Sequence, residues 1–333
     1  MSGQWEVQVS SADIMLVGDI GGTNARFATV DVSRPLPWRL ENRQDFAAAI
    51  PTFEEALKRY VDQAGLAQVP RAATIAVAGP VTDGRARLTN RDWLISEEAL
   101  RQFGCSAALL INDFIALAFA VEILGPADLR LLGPDLAGIA AEPITVLGAG
   151  TGFGVSCLAR YRKRTVPVAT EGGHMGFAPG DAQEVAVLQQ MMRRFGRASV
   201  ERLLSGPGLE NIHQALEEIA GRPPVKLAAA QVTQQAIAGD PACVAALSMF
   251  CAVYGSVAGD FALAHGSRGG VYIAGGIALK IDAFLANSAF RSRFESKGRL
   301  SPYVQSIPTK IITSGDAALL GSARAGFTLH EMS

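Results

Sequence analysis

The sequence predicts an α/β protein of two related domains, each built on a mixed sheet flanked by helices. Two glycine-rich turns, residues 18–23 (GDIGGT) and 148–154 (GAGTGFG), each join one apolar strand-like run to another. The chain of 333 residues is long enough for two domains with a core each. Similar hairpins that open two successive parts of the chain therefore indicate two domains that face each other.

Both turns are suited to phosphate binding, because backbone N–H groups converge on a polyphosphate only where no side chain blocks the approach. Neither turn fits the commonest nucleotide motifs. No lysine follows a glycine pair as a P-loop requires, and Phe153 stands where the dinucleotide fingerprint needs its last glycine. Either turn alone would be interpreted as an ordinary glycine hairpin. The two together predict a site that holds the phosphates of a nucleotide.

The elements of the first domain follow from periodicity and capping residues. Pro51 opens an amphipathic helix, and Ser96, followed by two glutamates, is expected to cap a second one. The predicted elements are strands at 14–19, 25–30, 38–46, 72–79 and 107–111, a hairpin arm at 85–90, and helices at 51–65, 96–103 and 114–122. This order predicts a mixed sheet with helices packed against it.

The second domain begins at Ile144 and is richer in helices. Its predicted strands are 144–148, 154–159, 269–274 and 307–313, its predicted helices are 182–195, 199–204, 208–219, 228–238 and 241–265, and a last helix spans 317–327. No Gly/Ser-rich or Pro-rich linker separates the domains, so a hinge is expected near Asn112 and Ser314. We predict a small α/β domain of residues 1–111 and 315–333 and a large α+β domain of residues 112–314.

The composition limits the partners of the protein. The 30 lysines and arginines nearly balance the 31 aspartates and glutamates, so no excess charge is available to hold a nucleic-acid backbone or an anionic membrane. The expected partners are small molecules or protein surfaces. The four cysteines are widely spaced and form no C-x-x-C pair, so neither a zinc knuckle nor a redox couple is indicated, and a reducing compartment is favoured.

One uncharged stretch, residues 241–259, has the length of a membrane-spanning helix. It holds five alanines, two serines and two glycines, and Asp240 and Asp260 flank it instead of lysine or arginine. This composition favours a helix buried in protein. The N-terminus carries no basic region ahead of an apolar core, so no signal peptide is predicted and we expect a cytoplasmic location.

Asn112 and Asp113 stand between the predicted strand 107–111 and the predicted helix 114–122. Ligands of α/β proteins bind at the carboxyl ends of strands, and the helix N-terminus is expected to keep the Asp113 carboxylate ionised. An ionised carboxylate here could accept a proton from a substrate hydroxyl as the hydroxyl attacks phosphorus. The alternative is that either residue only caps the helix, and for an isolated Asn-Asp pair capping would be preferred.

A second polar set, residues 171–174 (EGGH), follows the second glycine turn along the chain. Carboxylates accept paired hydrogen bonds from vicinal hydroxyls, and imidazole donates or accepts, so Glu171 and His174 suit a sugar. A metal site is a weaker interpretation, because no third His or Cys lies nearby in the sequence. Glu201 falls in the first turn of the predicted helix 199–204, where alone it would only complement the helix dipole.

Taken together and in this order, the motifs resemble the bacterial glucokinases of the hexokinase, actin and heat-shock ATPase superfamily. The resemblance rests on residues 16–26 (LVGDIGGTNAR), 111–114 (INDF), 148–152 (GAGTG), 171–174 (EGGH), 203–208 (LLSGPG) and 273–277 (IAGGI). It spans nearly the whole chain and is far more specific than a single glycine turn. It implies an actin-like ATPase fold of the ribonuclease H-like type, with an interdomain cleft.

The resemblance also implies roles for individual residues. Asp113 is expected to be the catalytic base for the 6-hydroxyl of the sugar, and the residues expected to hold the sugar beside it are Asn112, Glu171, His174 and Glu201. The residues expected to contact ATP are Gly18, Asp19, Ile20, Gly21, Gly22, Thr23, Thr151, Gly152, Gly275 and Gly276. Asp19 is expected near Mg²⁺ through water, because Mg²⁺ gives up its hydration reluctantly. A homodimer is implied by the resemblance alone.

The implied reaction is the ATP-dependent phosphorylation of glucose at the 6-hydroxyl, the first step of glycolysis. One alternative is a kinase for another hexose or an amino sugar, which differs in a single hydroxyl or substituent. A second is a nucleotide-gated regulator without catalysis, which would have the glycine turns but no reason for the sugar-binding set. A related branch of sugar kinases that carries a cysteine-rich zinc motif is disfavoured, because no cysteine lies between Cys157 and Cys243.

Overall fold

The computed structural model describes residues 14–22, 24–47, 50–88, 93–161, 164–223 and 225–330. The chain forms two compact units. Unit 1 comprises Met1–Gly125 together with Ser314–Ser333, and unit 2 comprises Pro126–Thr313. The chain therefore enters unit 2 once and returns to unit 1 for its last helix.

The described residues form thirteen strands and twelve α-helices. The strands are β1 (Ile14–Ile20), β2 (Asn24–Asp31), β3 (Glu41–Ala47), β4 (Ala72–Val77), β5 (Arg85–Arg87), β6 (Leu94–Ser96), β7 (Ala107–Asn112), β8 (Leu129–Leu131), β9 (Ile144–Ala149), β10 (Phe153–Tyr161), β11 (Arg164–Thr170), β12 (Gly270–Ala274) and β13 (Thr309–Ile312). The helices are α1 (Phe53–Gln63), α2 (Glu97–Phe103), α3 (Asp113–Ala120), α4 (Ala182–Phe195), α5 (Gly206–Ile219), α6 (Ala229–Ile237), α7 (Pro241–His265), α8 (Gly276–Lys280), α9 (Asp282–Ala286), α10 (Phe290–Glu295), α11 (Ser301–Gln305) and α12 (Ala317–His330).

Unit 1 is built on a five-stranded mixed sheet in the order β3-β2-β1-β4-β7. β1 and β2 form the first glycine hairpin, in which Asp19 pairs with Arg26, whereas β1, β4 and β7 run parallel. The register aligns Asp19 with Ala76 of β4 and Ala76 with Ile111 of β7. The carboxyl ends of three parallel strands therefore meet at one edge of the sheet, where α/β proteins bind their ligands.

Aromatic side chains fill much of the core on one face of this sheet. Phe27 of β2 and Tyr60 of α1 are fully buried with their ring centroids 5.4 Å apart, and Phe53 packs against the same Phe27 ring. α1 begins after Thr52, whose side chain accepts a hydrogen bond from the Glu55 N–H. The predicted amphipathic helix is confirmed, with slightly narrower bounds.

α12 packs on the other face of the sheet and against α3. Gly321 of α12 lies so close to α3 that a Cβ at this position would overlap the Ala116 carbonyl oxygen. This close approach of two helix backbones makes α3 part of unit 1. The chain thus passes into unit 2 after Gly125, whereas the sequence led us to place the boundary after residue 111.

Unit 2 is built on a six-stranded sheet in the order β11-β10-β9-β12-β13-β8. β9 and β10 form the second glycine hairpin, and β9, β12 and β13 run parallel. Ala274, the last residue of β12, aligns with Gly148 of β9. This register brings the segment that follows β12 to the start of the second glycine turn.

The uncharged stretch predicted as a buried helix forms most of α7. This helix is long and apolar enough to span a membrane, yet 67% of its most apolar window is buried in protein. It packs against α5, α6 and α10, and its Tyr254 ring lies 5.6 to 5.9 Å from the rings of Phe153, Phe250 and Phe290. The prediction of a helix buried in protein is therefore confirmed.

Several elements differ from the predictions. Residues 199–204, predicted as a helix, form only a 3-10 turn at Val200–Arg202, and β8, β11 and α8 to α11 were not predicted. The four helices from α8 to α11 have five or six residues each, too few to show a helical period in the sequence. Of the predicted hairpin arm, Arg85–Arg87 pairs with β6, and residues 89–92 lie outside the described residues.

Candidate functional site

The first glycine turn joins β1 to β2 in unit 1. The Gly21 N–H donates to the Asn24 carbonyl oxygen over 2.9 Å, which closes the turn, and both Gly21 and Gly22 are partly exposed. Thr23, a predicted ATP contact, lies outside the described residues. Within the described part of the turn, Gly21 and Gly22 therefore form its partly exposed surface.

Gly18 and Ile20 lie deeper than the turn, buried within β1. A Cβ on Gly18 would be 2.7 Å from Cδ1 of Ile75 and 3.2 Å from the Phe27 ring. Packing inside unit 1 therefore explains the glycine at position 18. Gly18 and Ile20 therefore belong to the buried strand that leads into the turn.

Asp19 is at the carboxyl end of β1 and forms an ion pair across the hairpin. Its Oδ2 lies 3.6 Å from Nη1 of Arg26, and the same nitrogen donates to the Gly315 carbonyl oxygen over 3.0 Å. Burial raises the pKa of the Asp19 carboxyl, and the positive charge of Arg26 opposes that rise. Arg26 therefore favours the ionised form of a carboxyl group that burial alone would protonate.

Asn112 is the residue at which β7 ends and α3 begins. Its Oδ1 accepts a hydrogen bond from the Phe114 N–H at 2.9 Å, and its Nδ2 donates to the Gly79 carbonyl oxygen at 3.1 Å. Asn112 thus caps α3, which the sequence left open as the alternative to a ligand contact. The bond to Gly79 also ties it to the loop that follows β4.

Asp113 is the first residue of α3, and its Oδ1 accepts a hydrogen bond from the Phe114 N–H at 3.0 Å. Burial, followed by the negative charge of Asp19, raises the pKa of Asp113 to about 7. The expectation that the helix N-terminus keeps this carboxylate ionised holds only in part near neutral pH, because desolvation and the like charge outweigh the hydrogen bonds that lower the pKa. A carboxyl group that titrates near pH 7 is well matched to general-base catalysis.

The second glycine turn joins β9 to β10 in unit 2. The Gly150 N–H donates to the Gly152 carbonyl oxygen, and the Gly206 N–H at the start of α5 donates to the Gly150 carbonyl oxygen, both at 2.8 Å. Thr151 at the tip is exposed, and Gly152 is partly exposed. The turn is thus held from the α5 side, and its tip faces solvent.

Glu201, in the 3-10 turn Val200–Arg202, lies directly against the second glycine turn. Its Oε2 accepts a hydrogen bond from the Phe153 N–H at 2.9 Å. A Cβ on Gly152 would lie 2.6 Å from the same oxygen, so a side chain at this position would displace the carboxylate. The structure therefore joins a predicted sugar-binding residue to a predicted phosphate-binding turn.

Glu171 precedes the 3-10 turn Gly172–His174 and His174 ends it, and both residues are exposed. A Cβ on Gly173 would overlap the Phe153 carbonyl oxygen, so the backbone of this turn packs directly on the end of the second hairpin. Arg197 fixes the turn from outside, because its Nη1 donates to the His174 carbonyl oxygen at 2.7 Å. Within unit 2, the turn that carries His174 and the carboxylate of Glu201 therefore both contact the backbone of Phe153.

Gly275 follows β12 and has a φ of +89°, a conformation that favours glycine. A Cβ at this position would overlap the Ala149 carbonyl oxygen. Gly276, the first residue of α8, has no neighbouring atom within 4 Å of the position a Cβ would take. The predicted adenosine-binding pair therefore adjoins the second glycine turn and offers an open backbone surface.

The carboxylates at the ends of β1 and β7 suit a metal ion that keeps several of its waters. Among the described residues, no group of three or more His, Cys, Asp or Glu is placed to hold a metal ion. Asp19 and Asp113 nevertheless stand close enough for the charge of one to raise the pKa of the other. Carboxylate oxygens suit Mg²⁺, which commonly keeps several waters and binds through one or two carboxylates and substrate phosphates.

Three residues of these sites had no role in the sequence analysis. Arg26 pairs with Asp19, Gly79 accepts the hydrogen bond from Asn112, and Phe153 links Glu201 to the second glycine turn. The register of the first hairpin could have revealed Arg26, because a turn centred between Gly22 and Thr23 places residues 19 and 26 opposite each other. Gly79 and Phe153 act through backbone atoms, so their residue types could not have predicted these contacts.

Known glucokinases match this chain over nearly its full length. A glucokinase family model matches residues 16–328. The glucokinase of Caulobacter sp. (strain K31) is 47% identical over 318 residues, which cover 95% of this chain and 96% of that protein. The crystal structure of glucokinase from an Antarctic psychrotroph has a TM-score of 0.87 at 33% identity and covers 95% of this chain and 99% of that one.

A more distant solved structure shares the fold. It is a ROK family glucokinase from Streptomyces griseus, solved in complex with glucose and AMPPNP, with a TM-score of 0.61 at 19% identity. The match covers 93% of this chain and 98% of that one. At this identity the similarity is one of architecture.

Proposed function

This chain belongs to the glucokinase family and phosphorylates glucose, and from this premise we propose how its residues transfer the γ-phosphoryl group of ATP to the 6-hydroxyl of the sugar. The mixed α/β fold implied by the resemblance is confirmed by the solved glucokinase that it matches. The individual roles rest on the geometry of each unit.

The observation that carries the proposal is the environment of Asp113. This carboxyl group lies at the carboxyl end of the parallel strands of unit 1, and its pKa of about 7 leaves a large ionised fraction at neutral pH. A base must be ionised to accept a proton, yet a weakly basic carboxylate accepts one poorly. Asp113 combines a substantial ionised population with a basicity well above that of an ordinary aspartate.

The proposed reaction moves one proton and one phosphoryl group. As the 6-hydroxyl oxygen of glucose bonds to the γ-phosphorus of ATP, its proton passes to an oxygen of Asp113. The bond between the γ-phosphorus and the bridging oxygen breaks, and ADP leaves. Asp113 later returns the proton to solvent.

The other sugar hydroxyls are assigned to Asn112, Glu171, His174 and Glu201. The exposed Glu171 carboxylate and His174 imidazole offer acceptor and donor atoms to neighbouring hydroxyls. Both polar atoms of the Asn112 side-chain amide are hydrogen-bonded, Oδ1 to the Phe114 N–H and Nδ2 to the Gly79 carbonyl oxygen. The orientation of the amide is therefore fixed. A site organised around hydroxyl groups discriminates strongly against a sugar that lacks one of them, because its polar groups are then left unpaired.

The ATP phosphates are assigned to the two glycine turns, with the Gly21–Gly22 pair in one and Thr151 and Gly152 in the other. The adenosine is assigned to the Gly275–Gly276 pair. The partial or full exposure of Gly21, Gly22, Thr151, Gly152 and Gly276 supports the assignment, since a ligand can reach the chain there. Bound Mg²⁺ would supply positive charge to the phosphoryl oxygens, and Asp19 is the residue that would hold it, through water.

A homodimer, a cytoplasmic location and a place at the first step of glycolysis complete the proposal. The dimer and the pathway step come from the family resemblance, and the location comes from the composition and the N-terminal sequence. Light scattering on the eluting protein tests the dimer. The expected mass is twice the 35.0 kDa of one chain. A mass of one chain across the concentrations tested would contradict it.

A coupled assay tests the reaction itself. Glucose, mannose, fructose and N-acetylglucosamine are offered with ATP, ADP or polyphosphate, and product is measured as sugar 6-phosphate. We expect the largest kcat/KM with glucose and ATP, and a preference for another sugar would redirect the assignment.

A base-deficient variant completes this test. Asp113→Ala should lower kcat by about 10² to 10⁴ while glucose binding stays measurable. Asp62→Ala, an exposed aspartate of α1, serves as the matched control. Near-normal turnover by Asp113→Ala would remove Asp113 from the role of base.

A further inference from the structure

The carboxylate of Glu201 has a partner that a sugar-binding role does not explain. Its Oε2 accepts the Phe153 N–H at 2.9 Å, at the point where the second glycine turn enters β10. The side chain is partly buried, so this hydrogen bond is shielded from competing water. Hydrogen bonds to a charged acceptor are about twice as strong as neutral ones.

The same segment of chain supports the glycine turn at a second point. Gly206 donates its N–H to the Gly150 carbonyl oxygen at 2.8 Å, and the Ser205 hydroxyl donates to the Glu201 carbonyl oxygen, also at 2.8 Å. Residues 201–206 therefore hold the turn at both of its ends, at Gly150 and at Phe153. The Glu201 contact is made by a side chain, so a substitution can remove it without altering the backbone.

The absence of a side chain at position 152 fits this arrangement. A Cβ on Gly152 would approach the Glu201 carboxylate carbon to 3.4 Å and Oε2 to 2.6 Å. Glycine therefore allows the carboxylate to sit directly beneath the turn. The position of the turn and the position of the carboxylate depend on each other.

We propose that Glu201 is a positioning residue for the ATP-binding turn as well as a sugar ligand, so that one carboxylate links the two substrates. The inference rests on the proposed function for the assignment of the turn to ATP and of Glu201 to glucose. A carboxylate has two oxygens and about four acceptor positions. Oε2 holds the turn, and Oε1 is available to a sugar hydroxyl.

This link has a thermodynamic consequence. Glucose that donates to Oε1 orders the Glu201 side chain and with it the hydrogen bond to Phe153. Each substrate then strengthens the binding of the other by the same factor, since coupling between two ligands is reciprocal. A sugar ligand whose side chain forms no hydrogen bond to the turn among the described residues, such as Glu171, gives no such coupling through this route.

Substitutions at two glutamates separate this role from sugar binding. The full-length chain and its variants Glu201→Ala, Glu201→Gln and Glu171→Ala are titrated by calorimetry with AMPPNP in the absence of glucose, and separately with glucose. We expect Glu201→Ala to weaken AMPPNP binding about tenfold, as loss of a hydrogen bond to a charged group does. Glu171→Ala should weaken glucose binding alone.

Glu201→Gln provides the rescue. Its amide oxygen can still accept the Phe153 N–H, so AMPPNP affinity should stay within about threefold of the unaltered chain while glucose affinity falls. A general loss of structure would not separate the two ligands in this way. Circular dichroism and the unfolding temperature are recorded for every variant.

Glu201→Asp is the second probe if Glu201→Ala does not fold. The shorter side chain keeps the charge and withdraws the carboxylate from the turn, so AMPPNP binding should weaken as in the alanine variant. Folded Glu201→Ala or Glu201→Asp protein that binds AMPPNP as tightly as Glu171→Ala would overturn the inference. Failure of the unaltered chain to phosphorylate glucose would instead overturn the proposed function, so the two failures are distinguishable.

Discussion

Asp19 and Asp113 stand at the carboxyl ends of β1 and β7, parallel strands separated only by β4, and the negative charge of Asp19 raises the pKa of Asp113. Asp19 itself is held by Arg26 from the neighbouring strand β2. The sheet register thus places the proposed proton acceptor, Asp113, beside the carboxylate proposed to hold Mg²⁺, Asp19.

The activity should depend on pH through Asp113. Its pKa of about 7 means that the carboxyl group is protonated and inactive as a base below that pH and ionised above it. We expect kcat/KM for glucose to rise with pH through about 7 and then to level off, because kcat/KM reports ionisations of the free enzyme. Asp62→Asn serves as a control with an unchanged profile. An acidic limb centred near pH 4 would show that Asp113 titrates as an ordinary aspartate.

The fold should be more stable when Asp113 cannot ionise. The pKa of Asp113 is higher in the folded state than in the unfolded state, so the folded protein binds more protons between about pH 4 and pH 7, and its stability falls as pH rises through that range. Asp113→Asn should therefore raise the free energy of unfolding at pH 8 by on the order of 1 to 2 kcal/mol. Urea unfolding at pH 8 and pH 4 measures the difference. An equal effect at both pH values would point to packing.

Glu171→Gln should mainly weaken glucose binding. The carboxylate is exposed and accepts hydrogen bonds from sugar hydroxyls in the proposed site, whereas an amide offers one acceptor oxygen and two donor hydrogens. We expect KM for glucose to rise about tenfold or more, with a smaller change in kcat and none in the affinity for AMPPNP. Glu54→Gln, exposed on α1, is a matched control. Unchanged sugar affinity would contradict the assignment of Glu171.

Gly275→Ala should destabilise unit 2. An alanine there would have a φ of +89° and a Cβ that overlaps the Ala149 carbonyl oxygen, so the two backbones must move apart. We expect a loss of about 1 to 3 kcal/mol in the free energy of unfolding. Gly276→Ala, with open space around the added methyl group, is the matched control and should cost little. Equal stability of the two variants in urea would show that the segment can relax.

Much of the fold could be predicted because its signals are local. The strands of both hairpins, the amphipathic helix α1 and the long helix α7 have apolar patterns or caps that identify them from neighbouring residues alone. The short helices between β12 and β13 have no such pattern, and α3 belongs to unit 1 through its packing on that unit, including the close contact with α12 at Gly321. Contacts between residues distant in sequence decided these cases.

For the site residues, too, local features could be predicted from the sequence and tertiary features could not. The types and order of Asp113, Glu171, His174 and Glu201 indicated a sugar kinase before any geometry was known. The protonation of Asp113 could not be predicted, because the helix N-terminus is a local feature whereas burial and the charge of Asp19 are tertiary. The hydrogen bond from Phe153 to Glu201 was equally hidden, since its donor is a backbone N–H.

The sequence by itself determined the family, the two glycine hairpins and the set of polar residues, because glycine spacing and residue type are properties of the chain. Only the tertiary structure decided that Asp113 titrates near pH 7 and that Glu201 holds the second glycine turn. The physical reason is that desolvation, charge proximity and backbone hydrogen bonds depend on distances in space, and packing alone sets those distances.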